Sequence, residues 1–418
     1  MRVASILLFT LGFTLGASAQ GFPLGDQFQV NTYTDNFQEW PAVAADDDGN
    51  FVVVWLNDNV TPPWVSGQLF LADGTKIGAE FQVSTLVGTD IEEPAVAMTG
   101  DGRFVVVWED NGGLDGDGAS VRGQRFAADG TKVGSEMQIN SYTTGFQGSP
   151  AVDILDNGSF MAVWHGQGFH ATNGIHGQAF DWAGVSLWGE IGINDHIPTG
   201  GCAHPEIGIA DNTDFVVSWD AWGSPGNDQS GKSVQARCFF WNGTALGPQF
   251  QVNTTTNGDQ SYNALAVAPD GSFLVVYYGL VSYGVGAQRF TPSCAPAGDE
   301  FEVNSPSGPA YRPNIAAANG GRYIVTWSNN DKWGRLVPVS GEPTAEPFLL
   351  PSEAFSCWYG EVAAAPDGRL VTTWHSNGSA GTDNDGYSIQ ARLFAGFTGV
   401  FFDDFESGDL SGWAATTP

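Results

Sequence analysis

Phe51-Val-Val-Val-Trp55 recurs along the chain with small changes. It returns as Phe104-Val-Val-Val-Trp108, Phe160-Met-Ala-Val-Trp164, Phe215-Val-Val-Ser-Trp219 and Phe273-Leu-Val-Val-Tyr277. The last two copies are Tyr323-Ile-Val-Thr-Trp327 and Leu370-Val-Thr-Thr-Trp374, and successive anchors lie 47 to 58 residues apart. A phrase that is apolar at successive positions predicts a strand buried on both faces. Seven units of this period, each with room for four short strands, predict a repeat fold of propeller blades.

Three further strand signals flank the phrase. Upstream stands a small-residue strand, as in Pro41-Ala-Val-Ala44, Pro94-Ala-Val-Ala97, Pro150-Ala-Val-Asp153 and Pro205-Glu-Ile-Gly208. Between the two lies a tight turn such as Asp48-Gly49, Asp101-Gly102, Asp270-Gly271 or Asp367-Gly368, which supplies the positive φ a hairpin needs. Downstream come Val121-Arg-Gly-Gln-Arg-Phe126 and its counterparts Val285-Gly-Ala-Gln-Arg-Phe290 and Ile389-Gln-Ala-Arg-Leu-Phe394. An alternating strand ends the unit, as in Phe28-Gln-Val-Asn31, Phe81-Gln-Val-Ser84, Met137-Gln-Ile-Asn140, Phe250-Gln-Val-Asn253 and Phe301-Glu-Val-Asn304.

Size orders the strands within a blade. The Pro-Ala-Val-Ala strand fits the crowded axis, the Val-rich phrase a middle position, and the alternating strand the outside. The chain begins with an outer strand, and the last unit has no clear copy of it after Phe394. The N-terminal strand is therefore expected to complete the seventh blade, leaving no open sheet edge. The expected organisation is a leader at residues 1–19, an all-β seven-bladed β-propeller of four-stranded antiparallel blades at 20–398, and an acidic tail at 399–418.

Composition agrees. The 418 residues include 56 Gly and 15 Trp, a mix that suits many short strands and large rings between sheets. The 46 acidic against 15 basic residues give a formal charge of −31, which disfavours nucleic acid and anionic lipid as partners. Arg2, an apolar run at 6–15 and Ala17-Ser18-Ala19 match a secretory leader. No later run is long enough for a membrane helix. The expected product is an exported, extracellular or cell-surface monomer without a transmembrane segment. Cys202, Cys238, Cys294 and Cys357 allow three disulfide pairings.

Taken together, Gln-x-x-Pro-Ala-Val-Ala, Asp-Gly-x-Phe-Val-Val-Val-Trp, Gly-Gln-Arg-Phe, Asp-Gly-Thr and Glu-Phe-Gln-Val-Asn resemble the tandem repeats of large secreted bacterial surface proteins. The likeness spans residues 25–396 and implies an architecture, not an activity. The tail, Phe401 to Trp413, breaks the repeat and resembles short C-terminal segments of exported bacterial proteins. It suits either a sorting role or a frayed acidic end.

Function on such a scaffold is expected on the loop face around the channel mouth. The residue entering each inner strand varies where the repeats otherwise agree: Trp40, Glu93, Ser149, His204, Tyr262, Arg312 and Tyr359. Two residues on stand Ala42, Ala95, Ala151, Glu206, Ala264, Asn314 and Glu361. Aromatics beside a few charges suit a glycan or an extracellular protein. Trp40, Glu93, His204, Tyr262, Arg312 and Tyr359 are the candidate ligand-binding residues. Glu206 and Glu361 could act as the two carboxylates of a glycoside hydrolase, although blades four and seven place them on opposite sides of the ring. A purely structural or adhesive module is the third reading. The balance favours binding over catalysis.

Calcium is the candidate cofactor. Asp115 and Asp117 in one loop, and Asp383 and Asp385 in another, space carboxylates with glycine as a hard cation prefers, yet Asp and Gly are also common turn residues. His165, His170 and His176 gather in blade three; facing one another, His165 and His176 would form half a zinc site. The equivalent positions in blade two, Glu109 and Arg122, suggest a cross-strand ion pair.

Overall fold

The computed structural model describes residues 23–395, apart from 59, 86–89, 170–171, 213, 281–282, 305–308, 319–320, 330, 341–342, 344 and 352–355. The expected leader and tail lie outside the described residues, as does His170. Seven antiparallel sheets stand in a ring, and among the described residues there is no α-helix. Blade one runs Phe37–Ala45, Phe51–Asp58, Trp64–Phe70 and Lys76–Gln82, each strand pairing with the next. Blades two to six repeat this order. In blade seven the inner strand is split into Ser356–Trp358 and Val362–Ala364, both pairing with Leu370–Asn377. The outer partner of Ser388–Phe394 is Phe28–Gln29, with Phe28 opposite Ala391.

The repeated phrase does what its pattern predicts. In Phe104–Asp110 every residue is buried. Side chains alternate between faces, and the two faces meet different neighbours. Phe51, Val53 and Trp55 pack with Val371 of blade seven. Val52 and Val54 pack with Phe104, Val106 and Trp108 of blade two. The same handover joins Val105 and Val107 to Phe160 and Trp164, and Leu274 and Val276 to Tyr323 and Trp327. Each Phe-x-Val-x-Trp set thus leans on the preceding blade, and the residues between lean on the following one.

Polar contacts tie the blade crossings. In five blades the residue just before the Phe-Gln-Val-Asn-type phrase accepts backbone N–H groups from the crossing that enters its blade. Glu80 accepts Thr32 N (2.7 Å) and Tyr33 N (3.1 Å), Glu136 accepts Thr85 N (2.9 Å), and Glu190 accepts Ser141 N and Tyr142 N (3.0 Å each). Gln249 does the same for Asp195 N and His196 N. Glu300 accepts both N–H groups and both hydroxyls of Thr254 and Thr255. Third-strand arginines add a second tie. Arg289 donates to Pro338 O at 2.8 Å, Arg335 to Val303 O at 2.6 Å and Arg392 to Leu350 O at 2.9 Å, so these cations serve the scaffold. Cys238 and Cys294 form a disulfide joining blades four and five.

These ties have a measurable weight. Replacing Glu300 with Ala should cost about 2–3 kcal/mol, because bonds to a charged acceptor are worth about 1.5–3 kcal/mol each and the partners are left to water. Glu300→Gln should cost less, since Gln249 fills the same place in blade four. The urea midpoints of the two variants measure this; equal midpoints would remove the carboxylate from the account.

Candidate functional site

The channel mouth is built by one backbone device repeated seven times. In each inner strand the pairing skips a residue: Glu92 pairs with Glu109, and the next pair is Ala95 with Val107. Glu93 and Pro94 therefore stand together opposite the single residue Trp108. Equivalent bulges set Trp40-Pro41 opposite Trp55, Ser149-Pro150 opposite Trp164, His204-Pro205 opposite Trp219, Tyr262-Asn263 opposite Tyr277 and Arg312-Pro313 opposite Trp327. A bulge re-aims the side chain it carries.

The leading residue of every bulge has a left-handed backbone. φ is 52° at Trp40, 48° at Glu93, 49° at Ser149, 50° at His204, 52° at Tyr262, 50° at Arg312 and 32° at Tyr359. None is the Gly, Asn or Asp that tolerates this region best. Such conformations cost on the order of 1–3 kcal/mol each and concentrate at functional sites. These seven residues rim a cavity of about 240 Å³ whose deeper wall includes Glu206, Asn314 and Glu361. The six residues expected to bind ligand are thus brought together with Ser149. Of the deeper set, Ala42 and Ala264 do not line the cavity.

Five neighbours on the rim form a continuous arc. His204 stacks on Tyr262 at 5.5 Å, and the Arg312 guanidinium lies 5.0 Å from the Tyr262 ring and 3.5 Å from the Tyr359 ring. Tyr359 in turn meets Trp40 at 5.9 Å. No carboxylate or carbonyl among the described residues pairs with the Arg312 guanidinium, so its edge stays available at the mouth. His204 is anchored from behind by Asp220, 3.0 Å from its Nδ1. That buried carboxylate also accepts Tyr262 N and Asn263 Nδ2. Burial alone would lower the His204 pKa, but the hydrogen bond and charge of Asp220 outweigh it and raise it above the ordinary value.

Glu206 and Glu361 face the channel. Both are half-buried in the cavity wall, and the protein packed around them governs their protonation. Burial first, and then the Glu361 charge, hold the Glu206 pKa well above the usual carboxylate range. Both carboxylates line the same cavity. Glu361 is pushed up to about 7 by burial, offset by the Val43 N–H it accepts and by Lys332. Lys332 is buried behind it and lowered to about 8, mainly by burial. Burial, with Lys332 and Arg312, lowers His375 to about 3, so its neutral Nδ1 can accept Trp40 N at 3.3 Å. Across the mouth the opposite sign collects. Glu39 is raised to about 7 by burial and by Asp58, and Glu109 to about 7 by burial with Glu93 and Glu92.

Two expectations, the facing histidines and the Glu109–Arg122 pair, need correction. Trp164 pairs with His176, and His165 with Ile175, so the two histidines occupy opposite faces. His176 instead lies 3.8 Å from the buried Glu190. Arg122 pairs with Trp108 and reaches Glu136 at 3.4 Å, while Glu109 accepts Ser149 N at 2.9 Å; the Glu109–Arg122 pair does not form. The loop carboxylates named for calcium stand apart from these two corrections, and each accepts a hydrogen bond within the chain. Asp115 accepts Asn140 Nδ2, Asp117 accepts Gly145 N, Asp383 accepts Asn31 Nδ2 and Asp385 accepts Asn36 N. Among the described residues no group of three or more His, Cys, Asp or Glu gathers as a metal shell.

Sequence reasoning missed a second variable column, the residue just after each phrase. It reads Leu56, Glu109, His165, Asp220, Tyr278, Ser328 and His375. Glu109, Asp220 and His375 support the mouth from below, and their departure from the repeat was the signal that could have found them.

No protein-family model and no curated protein matches the chain. Solved propellers do. A protein of unknown function from Dyadobacter fermentans superposes with a TM-score of 0.52 at 10% identity, covering 89% of this chain and 98% of that one. The polysaccharide lyase Uly1 gives 0.53 at 9% identity, with 89% and 99% covered. The endosialidase of phage phi92 gives 0.52 at 10%, with 95% and 72% covered. At these identities the likeness extends to the seven-bladed fold.

The raised carboxylate has a consequence for stability. Glu361 holds its proton more tightly folded (pKa about 7) than unfolded (near 4.5). Its contribution is complete below pH 4.5 and is lost as pH rises through 7. Glu361→Gln should therefore gain about 1–2 kcal/mol on the wild type at pH 8 and nothing at pH 4. Urea unfolding at the two pH values measures the difference; a pH-independent offset would contradict it.

Proposed function

We propose that the protein binds a glycan at the channel mouth. One observation carries the reading: seven rim residues, none of them Gly or Asn, are held in left-handed backbone and aim their side chains at one cavity. Strain repeated at every blade is explained by what it presents. It presents Trp40, Tyr262 and Tyr359 as ring surfaces, and Arg312, His204, Glu93 and Ser149 as groups able to meet sugar hydroxyls. The polysaccharide lyase and the endosialidase sharing the fold agree with a saccharide ligand, by analogy of fold alone. The leader-like residues 1–19 and the acidic surface suit an exported or surface-held protein that meets such ligands outside the cell. Among the described residues no helix is long and apolar enough to cross a membrane.

A second reading is favoured by the coupling of Glu206 to Glu361. Two carboxylates with unequal hold on a proton are the acid and base of glycoside hydrolysis. Glu206 would then protonate the leaving glycosidic oxygen, and Glu361 would activate water or attack the sugar.

A saccharide array followed by calorimetry separates these. Tyr359→Ala and Trp40→Ala should each weaken the bound saccharide tenfold or more, and unchanged affinity in both would sink the binding reading. Release of chromophore from aryl glycosides, abolished by Glu361→Gln, would establish hydrolysis; binding without turnover by the wild type would dismiss it.

A further inference from the structure

Three tyrosines outside the mouth are stacked beside it. Tyr278 lies 5.2 Å from Tyr311 at an interplanar angle of 27°, and 6.1 Å from Tyr283 at 17°. Tyr278 also meets the rim residue Tyr262 edge-on at 6.5 Å, and Tyr311 directly precedes Arg312. The pile therefore continues the aromatic arc outward over the junction of blades five and six.

Its exposure has no folding rationale. Tyr283 is 63% and Tyr311 47% exposed. Tyr283 is held at φ 69°, a strain that little burial repays. Among the described residues none of the three phenol hydroxyls makes a hydrogen bond. Rigid rings with open faces and unused hydroxyls offer large contact at small entropic cost.

We infer that Tyr278, Tyr283 and Tyr311 form an outer subsite continuous with the mouth, and that the ligand is an extended, uncharged polysaccharide chain. The inference rests on the glycan reading of the mouth and deepens it. Continuity from Tyr283 to Trp40 requires a chain longer than one or two sugars. Charge selects its class. The protein carries −31 overall, and Glu93 shares the mouth with Arg312, so a polyanionic chain would meet repulsion. Arg312, its faces covered by Tyr262 and Tyr359, is placed to donate from its edge to hydroxyls.

Calorimetry with cello-, xylo- and arabino-oligosaccharides of two to six units, against polygalacturonate and alginate, tests this on the full chain. Affinity for at least one neutral series should rise tenfold or more from two to five units and exceed that for either acidic polymer. Tyr283→Ala should bring the ratio of pentasaccharide to disaccharide affinity towards one. Tyr283 is exposed enough for its removal to leave the fold intact, and Tyr278→Ala provides a second variant. Binding that Tyr359→Ala abolishes, but that ignores chain length and Tyr283, would overturn the outer subsite and spare the mouth. A preference for the acidic polymers would overturn the ligand class. Absence of binding to every saccharide would overturn both readings together.

Discussion

The structure depends on burying the phrase strand on both faces at once. A strand such as Phe104–Asp110 has no solvent side, so it requires a sheet before it and a sheet after it. Trp55, Trp108, Trp164, Trp219, Trp327, Trp374 and Tyr277 are all fully buried between blades. Truncating one such ring would cost about 3–5 kcal/mol, and the loss would fall on two blades. Val371 packing with Phe51, Val53 and Trp55 brings the last blade against the first, so no unit is left with a bare face.

That constraint also makes the site. The large ring of each phrase faces the place where the inner strand bulges, with two residues set against it instead of one. The first of the pair is forced into left-handed backbone and onto the rim; Pro follows it in five of the seven blades. Rim chemistry can then vary from Trp to Glu to Arg without disturbing the packing, because the buried ring and the bulge are retained. Scaffold and site share a residue pair yet use different atoms of it.

Electrostatics follows from the same geometry. Seven inner strands converge, so carboxylates on them and on the strands paired beside them are crowded and poorly hydrated. Glu39, Glu109 and Glu361 rise to about 7 for this reason more than through any one partner. The cations divide by role. The third-strand arginines are spent on carbonyls between blades, whereas Arg312 is held by aromatic faces and keeps its hydrogen-bonding edge. In a chain with 15 basic residues, a guanidinium held in this way marks the mouth.

The period, the strand assignments and the identity of the seven rim residues were all legible in the sequence, because each is a local pattern repeated with one conspicuous variable position. The same local logic failed at Glu109–Arg122 and His165–His176. There a one-residue difference in register decides which face a side chain takes, and register is set by pairing across the hairpin. Only the folded ring put Glu206 and Glu361 on the wall of one cavity, set Asp220 behind His204, and piled Tyr278, Tyr283 and Tyr311 together. Asp220 and His204 meet across two strands of one blade, whereas Tyr278 and Tyr311 meet across two blades, and such distances follow from how strands pair and how seven sheets close about an axis. Sequence alone therefore determined the blade, its number of copies and which positions were free to differ; the closure of the ring decided what those positions could do together.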